Sequence, residues 1–205
     1  MKKSLIGLAL ACAALGASAD APRVRLFASA GYGFGGDPLM EGTWVDGNGQ
    51  QTGTWDLKAG KGTALALGAD LRVTDRFSLQ ASMGYQRESV DGAGSNFAFS
   101  RVPVELLGFY SLTDRLRLGL GVRKTQSAKI QGGGTYDYIN EPYEASGGAV
   151  IEGQYLFGTP SRTERAPMFG MYLRFVNETY KARRTAWDAK ERSGDHLAFG
   201  LLFYY

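Results

Sequence analysis

Every second residue of the C-terminal ten is large and apolar, and this pattern constrains the fold of the chain more than any other. The intervening positions include Ala198 and Gly200. The large apolar positions are Leu197, Phe199, Leu201, Phe203 and Tyr205. A strand of ~10 residues with one continuous apolar face has the length that a tilted β-strand needs to cross a bilayer. Because a soluble sheet rarely leaves such a face on a terminal strand, the pattern favours a transmembrane β-strand.

The N-terminal residues have the three parts of a secretory signal peptide. Two early lysines are followed by a short apolar region, residues 5–15, and by the small-residue cleavage site Ala17-Ser18-Ala19. Cleavage between Ala19 and Asp20 would remove residues 1–19 and leave 20–205 as a single mature domain. No stretch of the sequence approaches the ~20 apolar residues of a transmembrane helix. We therefore expect an exported protein rather than an inner-membrane protein.

The single cysteine, Cys12, lies within this signal peptide, so the mature chain should contain no disulfide. A lipoprotein cleavage box ending at Cys12 would follow an unusually short apolar region, and the Ala-Ser-Ala site fits better.

The net charge of +3 falls close to zero once the signal-peptide lysines are removed, which argues against a nucleic-acid partner. With one histidine and no mature cysteine, we expect neither a metal cluster nor a cofactor.

Alternation with a period of two residues recurs seven more times before the terminal strand. Glycine, at 29 of 205 residues, is about twice as frequent as its usual ~7% share, which suits many tight turns. The predicted strands cover residues 23–35, 62–73, 77–88, 97–110, 116–126, 147–157, 168–180 and 196–205. An even number of strands places both termini in the periplasm. The predicted fold class is all-β: an eight-stranded antiparallel transmembrane up-and-down barrel.

The fourth predicted strand does not keep one parity for its apolar residues. Two phenylalanines occupy odd positions and three aliphatic residues occupy even ones: Phe97 and Phe99, then Val102, Val104 and Leu106. Pro103 has no N–H to donate to a ladder, so we expect a bulge near it. Whether Glu105 points into the barrel depends on this register, which the pattern leaves open.

The connections between the predicted strands alternate in length. Residues 71–77 and 112–116 are near-copies that contain Thr-Asp-Arg, and such short connections are typical of periplasmic turns. The other connections are longer and richer in glycine and polar residues, as extracellular loops are. In the first of them, Gly42-Thr43-Trp44 and Gly53-Thr54-Trp55 flank Asp46-Gly47-Asn48-Gly49, which predicts a hairpin above the membrane.

By this architecture the chain resembles the small eight-stranded outer-membrane barrel family that includes the OmpA transmembrane domain, OmpX and the opacity-type surface proteins. The segments Arg101 to Arg123 and 197–205 carry the resemblance most clearly. It implies a monomer in the cell outer membrane, and it implies that the alternating apolar residues of the last strand, ending at Tyr205, are read by the barrel-assembly machinery. It implies little about activity, because the family shares a barrel without sharing one function.

The face opposite the apolar one should line the lumen, and it carries nine charged residues. These are Arg25, Asp70, Arg72, Glu105, Arg117, Arg123, Glu152, Arg174 and Glu178. An eight-stranded barrel is just wide enough for side chains to fill, and buried charges need partners. We therefore predict a plugged polar core that holds the barrel in shape. The alternative is a narrow, porin-like conduit for small solutes.

An enzyme that modifies lipid A is a third hypothesis, because some lipid A deacylases and palmitoyltransferases are small barrels. Such chemistry needs a histidine close to a serine or a carboxylate. His196 is the only histidine, with Ser193 and Asp195 nearby, but Ala198 stands where a His-x-Ser arrangement would need serine. We interpret His196 as a residue of the extracellular rim and expect no enzymatic activity.

The fourth long loop has a basic character beside an aromatic residue, Trp187. Its cations are Lys181, Arg183, Arg184, Lys190 and Arg192. At the outer rim such side chains suit the phosphates of lipopolysaccharide or a host-surface polyanion, and a merely solvated loop is an equal alternative. The sequence thus predicts a structural or surface-interaction protein that contacts outer-membrane lipid, lipopolysaccharide and a host or surface ligand.

Overall fold

The computed structural model describes residues 24–92, 95–158, 167–183 and 190–205. The predicted signal peptide, its cleavage site at Ala19 and Asp20, and Arg184 lie outside these residues. The described residues form thirteen strands: β1 (Val24–Gly35), β2 (Pro38–Val45), β3 (Gln51–Lys58), β4 (Gly62–Arg72), β5 (Phe77–Gly92), β6 (Ser95–Ser111), β7 (Leu116–Gly134), β8 (Asn140–Ala145), β9 (Gly147–Leu156), β10 (Met168–Asn177), β11 (Thr179–Ala182), β12 (Arg192–Ser193) and β13 (His196–Tyr204). In the same ranges, no helix is long and apolar enough to cross a membrane.

Eight of the strands close into an antiparallel barrel. The order is β1-β4-β5-β6-β7-β9-β10-β13, and β1 pairs with β13 to complete the circle. The predicted eight-stranded fold is therefore confirmed, and each predicted strand has its counterpart. Three of these strands are longer than predicted, since β5, β6 and β7 continue past the expected membrane boundary.

Large apolar side chains cover the outside of the barrel, as a lipid environment requires. On β13 and the residue after it, alternate residues are between 36% and 66% exposed: Leu197, Phe199, Leu201, Phe203 and Tyr205. The outward apolar residues run from Phe77 to Tyr85 on β5 and from Leu116 to Val122 on β7. We call this surface the apolar belt. Charged residues face inward instead, which is the reverse of a soluble sheet.

The irregularity predicted near Pro103 is confirmed, but it does not change the parity of β6. Between Val102 and Pro103 the β6–β7 register shifts from Ser127 to Thr125, so Gln126 is the extra residue. The bulge thus changes the inward-facing residues of β7 from odd to even positions, while the odd residues of β6 from Phe97 to Phe109 stay buried. Phe97 and Phe99, whose direction the sequence left open, face inward into an apolar environment.

The long-loop end of the barrel, which the sequence predicts to be extracellular, is a folded extension of the barrel wall. The twelve residues of β7 after Val122 can extend roughly 30 Å at ~3.3 Å per residue and a ~40° tilt. Strands β8, β11 and β12 add to the edge of β7 in that order. Strands β2 and β3 form a separate hairpin in which Thr43 pairs with Thr54, which confirms the hairpin predicted in the first loop.

Candidate functional site in the barrel lumen

The inner wall of the barrel carries small side chains on one side and larger side chains on the other. Strands β1, β4, β5 and β13 contribute small residues to the lumen at mid-height: Ser29, Ala64, Ala66, Ser82 and Ala198. Tyr172 of β10, the strand next to β13, extends over its register neighbours Gly200 and Gly31, and a Cβ on either glycine would collide with its side chain. The glycines therefore make room for the side chains that fill the lumen.

Two arginines and three glutamates form a buried ion network across the middle of the lumen. Nη1 of Arg123 lies 3.1 Å from Glu105 Oε1, and its Nη2 lies 3.2 Å from Glu178 Oε1. Nη1 of Arg174 lies 3.0 Å from Glu105 Oε2, and its Nη2 contacts Glu152. Glu105 thus joins the two arginines into one network. The register left open by the sequence resolves with Glu105 pointing inward.

A second group of charges lies nearer the short-turn end. Nη1 of Arg117 lies 2.7 Å from Asp70 Oδ2, and its Nε donates to Gln154 Oε1 at 2.6 Å. Its guanidinium carbon is 4.6 Å from the Phe109 ring centre, and its Nη2 donates to the Tyr204 hydroxyl. This arginine is therefore held by an ion pair, a neutral amide and two aromatic rings.

The structure brings seven of the nine predicted lumen charges into these two groups. Arg25 and Arg72 are half-buried towards the short-turn end, where Arg25 pairs in register with Asp70 across β1 and β4. Removing charges from water costs several kcal/mol per ion, and mutual attraction offsets this cost only with good geometry. Such networks therefore specify which side chains fill the lumen more than they raise net stability.

The first-loop hairpin covers the extracellular mouth of the lumen with an apolar cluster. Leu57 is fully buried against residues of β6, β7, β8 and β11. We call this cluster the apolar cap, and its buried members are Leu57, Ala59, Phe97, Phe99, Ala128, Ile130, Tyr143, Tyr180 and Ala182. Trp55 stacks on Phe97 with ring centres 5.3 Å apart. The cap separates the charged lumen from the outside.

The chain that returns from the hairpin is anchored in the barrel mouth by polar contacts. The Gly60 carbonyl accepts hydrogen bonds from Arg101 Nη2 at 3.0 Å and from Gln86 Nε2 at 3.2 Å. Glu88, which lies beyond the apolar belt, accepts from the Lys58 N–H at 2.8 Å and pairs with Lys61 at 3.1 Å. Burial raises the pKa of Glu88, and the hydrogen bond from Lys61 to Glu88 raises the pKa of Lys61.

Arg101 is a lumen residue that the sequence analysis missed. It is 1% exposed, and its guanidinium packs over the rings of Phe99 and Tyr180 at 5.6 and 5.8 Å. Its direction was obscured because the odd positions of this strand also carry the apolar Phe97 and Phe99, which left the register open. Reading all odd residues of β6 as inward, with the phenylalanines in a cap above the charges, would have identified it.

One cavity among the described lumen residues is small. Gln86, Glu105, Arg123 and His196 help to line a cavity of about 20 Å³. A cavity of that size holds roughly one water molecule. The arrangement therefore suits a packed polar core, in which side chains rather than solvent satisfy one another.

His196 begins β13 at the extracellular end, but its side chain is buried in the barrel mouth rather than exposed at the rim. Its Nδ1 lies 2.7 Å from the Gly194 carbonyl. Asp195 accepts instead from the Glu178 N–H at 3.0 Å, and the Ser193 hydroxyl accepts from the Asp195 N–H at 3.1 Å. In the described ranges, no hydrogen bond joins the imidazole to Ser193 or Asp195, as nucleophile activation would require.

The basic residues of the fourth loop do not form one compact cluster. Lys181 is exposed on β11, and Arg183 Nε pairs with Glu144 at 3.2 Å on the neighbouring strand. Lys190 is exposed, and Arg192 is half-buried and pairs with Tyr180 across β11 and β12. Lys124 of β7 is also exposed, two residues beyond the apolar belt. Lys181 and Arg183 therefore occupy the outer side of the extension, whereas Arg192 shares the face of the buried Tyr180.

No family model matches the chain, and no curated protein matches it. Among solved structures, it is similar to the attachment invasion locus protein Ail of Yersinia pestis, which was solved in complex with the heparin analogue sucrose octasulfate. The two chains are 9% identical, and the TM-score is 0.47 over 89% of this chain and 97% of that one. It is also similar to Neisserial surface protein A, at 12% identity and a TM-score of 0.49 over 89% and 97% of the chains. OprG of Pseudomonas aeruginosa is 14% identical, with a TM-score of 0.41 over 88% and 95%. The eight-stranded barrel predicted from the sequence follows from the strand order of the chain itself and not from these similarities.

Proposed function

We propose that this protein is a monomeric surface barrel of the outer membrane that does not transport solutes, and that its folded extracellular part makes surface contacts. The observation that carries the proposal is the double closure of the lumen. Ion pairs centred on Arg123 and Arg174 fill the middle, and the apolar cap lies over the extracellular mouth. A conduit would need a continuous polar path, and a cavity of about 20 Å³ supports a packed interior instead.

Conductance of refolded residues 20–205 in a planar bilayer tests the absence of transport. We expect no steady single-channel steps in the parent protein. An opened control in which Arg123 and Glu178 are both serine loses one ion pair without changing the net charge, and it should conduct weakly. Resistance of the refolded protein to unfolding by detergent at room temperature verifies insertion in both samples. Stable conductance of the parent at the level of this control would refute the closed lumen.

We infer that the phosphates of lipopolysaccharide are the partners of the basic side chains at the outer rim. Lys181 and Arg183 support this inference because they are exposed on the outer side of the extension, and Lys190 is exposed nearby. Arginine forks bind phosphate in a bidentate way that lysine does not copy. Exposed ion pairs are individually weak, often below ~1 kcal/mol, so binding must come from the group as a whole.

Replacing Arg183, Arg184 and Arg192 with glutamine should weaken binding of purified lipopolysaccharide to the refolded barrel. The difference should shrink as salt rises, because exposed charges are screened. Lipopolysaccharide from which the phosphates have been removed serves as the control ligand, and it should bind the parent and the triple variant equally. Equal binding by the triple variant and the parent at low salt would mean that the loop is only solvated.

We also propose that export removes residues 1–19. Mass spectrometry of the protein isolated from outer membranes should then give a chain that begins at Asp20. A chain that retains the first residues, or one modified with lipid at Cys12, would overturn this proposal.

A further inference from the structure

The two described short turns share one backbone structure. The Thr74 hydroxyl accepts hydrogen bonds from the Arg76 and Phe77 N–H groups at 3.3 and 3.0 Å. In the second turn, the Thr113 hydroxyl accepts from the N–H groups of Arg115 and the next residue at 3.2 and 3.0 Å. Each turn therefore holds an arginine directly before the first residue of the following strand.

Both arginines lie at the edge of the apolar belt. The residues that follow them, Phe77 and Leu116, are 40% and 37% exposed on the outer surface. The residues that enter the turns, Val73 and Leu112, are 55% and 50% exposed. Apolar surface therefore reaches the turns themselves, and the guanidinium groups lie at the level where hydrocarbon gives way to lipid headgroups.

A lipid-facing tyrosine lies between the two arginines. Tyr110 of β6 is 48% exposed, and its hydroxyl accepts a hydrogen bond from Arg76 Nη1 at 3.4 Å. Because β5, β6 and β7 are consecutive, the strands that follow Arg76 and Arg115 are about 10 Å apart. Among the described residues, no ion pair engages either guanidinium, including any with Asp75 or Asp114.

We propose that Arg76, Tyr110 and Arg115 bind the phosphate of a glycerophospholipid in the membrane leaflet at the short-turn end. The guanidinium forks and the phenol supply donors that match phosphate oxygens. The acyl chains would lie along the outward apolar residues of β5 and β7, beginning with Phe77 and Leu116. The inference rests on the membrane placement given under the proposed function, but not on a closed lumen.

The adjacent aspartates define what kind of recognition this site can perform. Asp75 and Asp114 make each turn neutral overall, so long-range attraction of anions is small. Binding must then come from short-range contact with a phosphate held at the right depth by its acyl chains. Lysine at both positions should therefore restore only part of the binding, because it lacks the planar fork.

Native mass spectrometry of refolded residues 20–205 in a neutral detergent tests this site, with dioleoylphosphatidylglycerol as the probe. We expect the R76Q/R115Q variant to retain lipid about threefold to tenfold less well than the parent, as two weak exposed contacts allow. The R87Q/K124Q variant is the matched control, because it removes two outward cations from the same strands at the other end of the belt. It should retain lipid as the parent does.

Two further probes identify the ligand. Dioleoylglycerol, which lacks the phosphate, should bind parent and R76Q/R115Q equally, and inorganic phosphate at the same concentration should not displace the phospholipid. Equal losses in R76Q/R115Q and R87Q/K124Q, or a phosphatidylglycerol affinity no greater than that for dioleoylglycerol, would overturn the site. Displacement by inorganic phosphate would overturn its assignment to a lipid. None of these results changes the conductance that tests the proposed function.

Discussion

Removing Arg123 should destabilise the barrel strongly, and removing Glu178 with it should recover part of the loss. Arg123 pairs with Glu105 and Glu178, and both carboxylates have almost no solvent contact. In the R123M variant, Glu105 keeps Arg174, whereas Glu178 keeps only neutral hydroxyl partners on Thr125 and Tyr180, at 2.9 and 2.5 Å. An uncompensated buried carboxylate then remains in the lumen.

The size of the destabilisation follows from the cost of removing one partner of a buried ion pair and leaving the other charge unpaired. The single variant should lose about 3 to 5 kcal/mol in the free energy of unfolding. The R123M/E178Q variant restores the parent's balance, because the central network has two cations and three anions and loses one of each. We therefore expect a favourable coupling of roughly 1 to 3 kcal/mol between the two substitutions.

Urea unfolding of the refolded protein in lipid vesicles, followed by tryptophan fluorescence, measures these differences for the parent, R123M, E178Q and the double variant. The key comparison is between R123M and R123M/E178Q, since the double variant should be the more stable of the two. If the losses of the single variants simply add, the two residues do not interact energetically and the network is not a unit. That result would refute the reasoning.

Three other outcomes are expected. The G60V variant should fail to seat the hairpin, because a Cβ at Gly60 would lie 2.7 Å from the His196 Cβ, and limited proteolysis should then cut the first loop faster than in the parent. The F203D variant, or deletion of Tyr205, should lower outer-membrane levels, because the last strand would lose its apolar face or its terminal aromatic; normal insertion of both would contradict the assembly-signal prediction. The folded protein should migrate differently in detergent gels before and after boiling, with a strand-dominated far-ultraviolet dichroism spectrum, and a helix-dominated spectrum would contradict the barrel.

The eight membrane-crossing strands could be predicted from the sequence because the bilayer imposes a local rule. Each strand must place apolar residues outward at every second position, so the alternation ending at Tyr205 carries both the strand and its orientation. The same rule placed Arg117, Arg174 and Glu152 inside. These predictions needed no knowledge of which strands are neighbours.

The rule does not apply beyond the membrane boundary, because there the inner face of a strand can also carry apolar residues. Phe97 and Phe99 follow the inward parity of β6 yet belong to the apolar cap, so alternation of polarity could not reveal their direction. Because the inward positions of β6 could not be read from these residues, Arg101 was missed. Its inward position is evident only from the burial of the other odd residues of β6. Sequence position likewise suggested an exposed rim for His196, which the barrel mouth encloses.

The sequence by itself determined the number of spanning strands, their outward faces and the charges available to the lumen, since all of these follow from a two-residue period. Only the tertiary structure decided how those charges pair, that Gln126 is the bulged residue, and that the hairpin ending near Gly60 covers the mouth. These features depend on contacts between segments far apart in the chain, such as Arg101 with Gly60 and Arg123 with Glu178. Their geometry exists only once the barrel has closed.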